Sequence, residues 1–437
     1  MTPQNNSTGS AWLRRWVPSA TIAAGRDLPL EGLRGLCALL VFYSHVFLPS
    51  NALDPRWAPS ARFWWFNLGF AAVLMFFVLS GYVIGLTTTR PATPAAMRSY
   101  LGRRALRLVP ISTFAVLLSW ALQPDAAGRT VLGNLLFLQN DLPGSHGTGF
   151  GLLDNNSNLW SLHYEVIYYL AFLALWRWSP RVGLVWIAVT AVAFARGAGV
   201  PMPEILARYA CGALFWLGGL SVAWLLEPTA ADDPRGHWPS ALLAAHAMWQ
   251  LGPLRSLFAT MHLESLMWPA PVSPHRLDFL PVCLWVLLAV TGRAPRWERR
   301  LGWLCLGWCT ACVAVYAARG MLVEFDYVGI VTLGAAWLTW RWRPDPRLLA
   351  RLAPVGAVSF AFYAISSPLQ IGQRQLLPNF SGSALTFGVR AIAALALTFG
   401  FAWLLEIKLQ PWIKNLFRST PASHFARETS PEPNSPR

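Results

Sequence analysis

The sequence predicts an all-α protein, a polytopic bundle of ten to twelve transmembrane helices. Three observations predict it. Hydrophobic residues make up 55% of the 437-residue chain and charged ones only 13%, with 24 tryptophans, whereas a soluble domain carries about 25% charged residues. Apolar runs of roughly spanning length recur, separated by short polar connections. The Lys and Arg behind the net charge of +15 sit in those connections, so the charge reads as membrane orientation and not as a nucleic-acid groove.

Residues 1–27 read as a polar cytoplasmic arm. The first apolar run starts near residue 30, is of spanning length and ends without a small-residue cleavage site, so it is expected to stay as the first transmembrane helix. A Pro-containing connection, Ser50 to Arg62, leads to a second run, Phe66 to Leu86. The basic segment with Arg90, Arg98, Arg103, Arg104 and Arg107 follows it and marks that side as cytoplasmic. A third helix is expected over Arg107 to Leu122. Gln123 to Asn158 is read as an outer connection, because its apolar stretch Val131 to Leu138 is too short to span. A fourth helix starts at Leu159. Runs near 182–196, 204–226, 239–252, 276–292, 301–318, 327–340, 353–372 and 384–407 complete a membrane domain over 28–413, with both ends inside. Residues 414–437, polar and rich in Pro and Ser, are expected to be a disordered cytoplasmic tail. Six cysteines lie in apolar runs, and Cys309-x-x-Cys312 reads as core filler, since no second pair or His cluster accompanies it. No metal is expected.

Polar residues inside apolar runs carry the chemistry, because an ionisable group at membrane depth is costly unless paired or facing a wet cavity. Leu30 to Pro49, LEGLRGLCALLVFYSHVFLP, holds Arg34 and His45. On a helix they fall ~16 Å apart along the axis and within ~20° around it, with Ala38 and Val41 between them. The plain alternative pairs Arg34 with Glu31 one turn back and leaves His45 bonded to a backbone carbonyl. In the second run, FFVLSGYVIG places Ser80, Gly81 and Tyr82 together, and Gly81 reads first as a close helix contact. Arg104 and Arg107 share a face. Each alone reads as a positive-inside anchor, but as a pair they suit phosphates. The fourth run opens WSLHYEVIYY, with Ser161, Glu165 and Tyr168 on one stripe and His163 opposite. Glu165 needs a partner: His45 in the sharper reading, its own proton in the plainer one.

Taken together, Arg34-x10-His45, FFVLSGY, Arg104-x-x-Arg107, WSLHYE and the later Gly356-x-x-Ser359-Phe360-x-x-Tyr363 resemble the acyltransferase-3 family of integral membrane acyltransferases over about residues 28–410. Two positions depart from that pattern: Ser366 stands where many members have a histidine, and the closing motif is only loosely echoed by Glu406 and Pro411. The resemblance implies a bacterial inner-membrane enzyme that moves an acetyl or other short acyl group from acyl-CoA to a hydroxyl of a glycan, a lipid-linked sugar or a small molecule.

In those terms Arg34, Arg103, Arg104 and Arg107 form an inner cluster suited to the coenzyme A phosphates. His45 serves as base, Glu165 holds its tautomer, and Arg34 stands at the start of the same face. Ser80, Tyr82, Trp160 and Ser161 are the candidates for holding substrate. Direct transfer is the working mechanism, with an acyl-histidine intermediate as the alternative. The competing class is a transporter or flippase for a glycan or lipid-linked sugar, which would use the same intramembrane charges as a pathway.

Overall fold

The structure, a computed structural model, describes residues 27–47, 53–140, 148–226, 236–267 and 272–418. The expected arm up to residue 26, the start of the first connection and the tail beyond 418 lie outside the described residues.

Helix α1 (Leu28–Val46) is capped by Asp27, whose side chain accepts the Leu30 N–H, and has Pro29 in its first turn. It is followed by α2 (Gly69–Thr87), α3 (Pro94–Leu122) and the short α4 (Gly128–Leu135). Next come α5 (Trp160–Trp178), α6 (Val182–Ala195), α7 (Glu204–Leu225), α8 (Trp238–Leu251) and α9 (Pro253–Thr260). The last part holds α10 (Phe279–Thr291), α11 (Pro295–Ala318), α12 (Glu324–Leu338), α13 (Ala353–Ala357), α14 (Ser359–Leu376), α15 (Ala384–Trp403) and α16 (Gln410–Arg418). No named strand occurs among the described residues.

Six helical stretches among the described residues are long and apolar enough to cross a membrane, and a seventh if Pro346–Ala357 and Ser359–Leu376, bent by 59°, form one span. That is fewer than the ten to twelve expected, for two reasons. Helices α6, α8 and α12 are only 14 to 15 residues long. Helices α1 and α5 have 19 residues each, but Glu31, Arg34 and His45 in one, and His163 and Glu165 in the other, dilute their hydropathy.

Two boundaries also move. Helix α3 begins thirteen residues before the expected Arg107, so Arg104 and Arg107 lie ~15 and ~20 Å along it instead of at its end. Residues 414–418, expected in the tail, belong to α16. Its turns are held by Lys414 Nζ donating to Gln410 Oε1 one turn back, at 3.1 Å.

Glycines set the closest helix approaches. A Cβ on Gly81 would sit 1.9 Å from Trp216 O, and one on Gly219 1.8 Å from Val78 O, so α2 and α7 touch backbone to backbone. This is the close contact expected at Gly81. Likewise a Cβ on Gly356 would lie 1.8 Å from Glu31 O, and one on Gly35 2.3 Å from Leu352 O, which seats α1 against α13. Gly219→Ala therefore overpacks a seam at a cost of about 1–3 kcal/mol and lowers the unfolding midpoint in detergent. Gly102→Ala, whose Cβ meets nothing within 4 Å, leaves the midpoint unchanged or higher. Equal midpoints for the two variants would mean that α2 and α7 do not touch there.

Helices α1 and α2 run antiparallel, with Ser44 against Gly69, where a Cβ would meet Ser44 Oγ at 2.2 Å. Beyond α1, the loops are tied by Arg390, which donates to the carbonyls of Phe380, Leu53 and Leu377. Asp54 joins them by accepting from the Arg56 and Gly382 N–H groups and the Thr386 hydroxyl.

Candidate active site

A cavity of about 750 Å³ opens between α1, α2, α3, α5 and α14. The i, i+3, i+4 pattern of α2 presents Val73, Phe76, Phe77, Ser80, Val83 and Thr87 to it, so this wall is ~21 Å long. Its charged lining is Glu31, Arg34, Arg103, Arg104, Arg107, Glu165 and Lys414, together with Asp27 at the α1 cap.

Each charge is held. Arg34 Nη1 donates to both Glu31 carboxylate oxygens at 3.1 Å, and Nη2 to Ser359 Oγ at 3.0 Å. The i, i+3 pair expected as the plain alternative thus forms, yet Arg34 still faces the cavity. Gly356 explains the Ser359 contact, because only a residue without Cβ lets α13 lie on α1 so closely that α14 starts beside Arg34. The Arg104 guanidinium carbon lies 5.4 Å from the Tyr100 ring centre and 5.1 Å from that of Tyr169, which fixes its plane. Tyr169 in turn donates to the Glu165 carboxylate. Arg107 interacts electrostatically with Tyr169, Glu406, Glu165 and Glu31. Arg103 donates to Ser99 Oγ at 2.6 Å.

Near the apolar end, Tyr363 donates to Asn158 O at 2.7 Å and stands 2.8 Å from Ser161 Oγ. Since the Tyr363 proton is committed to Asn158, Ser161 donates to Tyr363. Asn156 and Asn158 bind the carbonyls of Ala364 and Tyr363, which locks the start of α5 onto α14.

Of the ten expected site residues, the cavity gathers Arg34, Arg103, Arg104, Arg107, Ser80, Ser161 and Glu165. Three do not line it. Tyr82 is two residues from Ser80, ~200° around α2, and lies buried under Arg293, whose guanidinium carbon is 5.4 Å from its ring centre. Trp160 is buried between Phe70, Phe77 and Tyr164. His45 is partly exposed and makes no hydrogen bond or ion pair among the described residues.

The Ser44–Gly69 register puts Val73, the end of the α2 wall, level with Leu40. The cavity therefore stops ~8 Å short of His45 along α1. The expected hydrogen bond between His45 and Glu165 is accordingly not made. Glu165 turns instead toward Tyr169, whose ring packs on Arg104, and lies within electrostatic reach of Arg107. His163 faces away, onto Phe137 O and the Tyr209 hydroxyl, as its place opposite Glu165 predicts.

Sequence reasoning missed Tyr169, Lys414 and Glu406. Tyr169 stands four residues after Glu165, a spacing that signals contact, whereas Tyr168 turns instead to Tyr209 O. Glu406 accepts the Ala361 N–H at the start of α14 and lies within electrostatic reach of Arg107, Arg34 and Lys414. Its place with Pro411 in the loosely echoed closing motif was the signal.

Other buried ionisable pairs, such as His237 with Glu298, lie outside the cavity lining. No cluster of three or more His, Cys, Asp or Glu able to hold a metal ion occurs among the described residues, and all six cysteines are free and buried.

The family model described as an acyltransferase domain, that of the acyltransferase-3 family, matches residues 28–407. The chain belongs to that family. No curated protein and no solved structure matches it. The matched segment runs from α1 past Glu406 and contains every cavity residue named above except Asp27 and Lys414. With its apolar spans, this acyltransferase is an integral membrane enzyme.

Proposed function

We propose that this acyltransferase moves an acyl group, acetyl in the first instance, from acyl-CoA to a hydroxyl of a glycan, a lipid-linked sugar or another small acceptor. Its place in this reading is the bacterial inner membrane, with both termini in the cytoplasm. One observation carries the proposal: four arginines and a lysine converge on a cavity whose apolar end points along α1 toward His45.

The cavity has the size of a ligand site, and its lining fits the donor. Arg103, Arg104, Arg107 and Lys414 offer charge-assisted hydrogen bonds to phosphates, and Tyr100 and Tyr169 hold Arg104 ready for them. When bound, acyl-CoA supplies an activated thioester carbonyl. His45 takes the proton of the acceptor hydroxyl, since a neutral imidazole nitrogen accepts a proton and this ring makes no hydrogen bond or ion pair among the described residues. Arg34, fixed by Glu31 and Ser359, offers positive charge on the same helix face. Glu165 acts as a positioning residue that orders the arginines through Tyr169.

Purified protein in detergent should release coenzyme A thiol from acetyl-CoA only when a hydroxyl acceptor is present. Transport would need a sealed bilayer, so the absence of acceptor-dependent release across a panel of glycans would sink the reading in favour of a transporter. Mass spectrometry of surface glycans from a strain lacking the protein identifies the acceptor.

Within this scheme, Glu165→Gln raises KM for the donor several-fold while kcat falls less, because Tyr169 loses a charged acceptor and the arginines lose their order. His163→Ala leaves donor KM unchanged and lowers only the unfolding midpoint. An equal rise in KM for both variants would remove Glu165 from its positioning role.

A further inference from the structure

Ser80 has a buried hydroxyl with no hydrogen-bond partner among the described residues. A serine inside a helix normally satisfies itself on a carbonyl one turn back, and Ser112, Ser119, Thr87 and Thr310 all do so here. Leaving such a group unpaired is unfavourable, so its persistence on a cavity wall calls for a partner from outside the protein. Ser80 stands midway along the α2 wall, ~10 Å from both Val73 and Thr87. By the Ser44–Gly69 register it is level with Leu33 and Arg34. Around it the lining passes from arginines to Phe76, Phe77 and Leu162, so a ligand lying along the cavity has its charged part on one side of Ser80 and its apolar part on the other. What belongs at that level is a neutral polar group within an extended chain.

We propose that Ser80 hydrogen-bonds an amide in the arm that joins the phosphates of the donor to its thioester, and so reads the arm separately from the phosphates. This rests on the acyl-CoA reading above and specifies which part of the donor each wall residue holds. Phosphates alone can be held by the arginines in any orientation, whereas an amide engaged midway along the wall fixes the direction and depth of the arm.

The test uses calorimetric titration of purified parent protein and Ser80→Ala with two probes. One is coenzyme A, which has the arm, and the other is adenosine 3′,5′-bisphosphate, which has phosphates but no arm. Ser80→Ala should weaken coenzyme A binding five- to tenfold and leave bisphosphate binding unchanged. Because the Ser80 hydroxyl has no partner among the described residues, the unliganded variant should melt no lower than the parent.

Equal coenzyme A affinity in parent and variant would overturn the amide contact while leaving the donor reading intact. Parallel losses for both probes, or a lowered melting point, would also overturn it by showing a general effect on the cavity. A parent that binds neither probe would overturn the donor reading itself, and the amide contact with it.

Discussion

His45→Ala abolishes acyl transfer, with a fall in kcat of at least two orders of magnitude, while the protein still purifies as a folded monodisperse species and still binds coenzyme A. The size follows from the role, since a positioned general base contributes about 10²–10⁴-fold. The retention of binding follows from geometry: His45 is not part of the cavity lining, and the α2 wall ends ~8 Å short of it along α1. The retention of fold follows from its surroundings, because the ring gives up no hydrogen bond or ion pair among the described residues when it is removed. Activity within twofold of the parent would end its assignment as the base. Loss of coenzyme A binding would instead mean that donor and acceptor share one undivided site.

The second large effect is on donor binding. Replacing Arg104 and Arg107 together by Gln weakens coenzyme A binding by more than an order of magnitude, and the deficit shrinks as salt is raised. Each charge-assisted hydrogen bond is worth about 1.5–3 kcal/mol, and ~1.4 kcal/mol is a factor of ten, so the loss of even one such bond meets the threshold. The fold tolerates the change because neither guanidinium is the sole tie of its helix. Helix α3 is anchored through Arg107 O, which accepts from Gln410, and through Tyr100, packed on Phe172. Titration at two salt concentrations tests the electrostatic origin. Parent-like affinity in the double variant would return both arginines to the role of membrane anchors.

Glu165 shows where sequence reasoning stops. Its need for a partner was legible, because a carboxylate among apolar residues requires one. Which partner it takes was not, since that depends on how far into the bundle α3 carries Arg104 and Arg107 beside it. Tyr82 and Ser80 make the same point on one helix. Both stand in a polar patch of the sequence, but ~200° of helical rotation puts one against Arg293 and the other on the cavity wall.

By itself the sequence determined the all-helical membrane class, the shared face of Arg34 and His45, the close contact at Gly81, the turn of His163 away from Glu165 and the family. All of these follow from local quantities: composition, the 100° step of the helix and motif order. The tertiary structure alone decided that Arg34 is shared between Glu31 and Ser359, that Lys414 joins the cavity from an expected tail, and that Glu165 accepts from Tyr169 and not from His45. Those outcomes depend on the register between helices far apart in the chain, which here is set by backbone contacts at Gly35, Gly81, Gly219 and Gly356. A glycine in the sequence says that a close approach is possible there, but only packing says which helix approaches and at what depth.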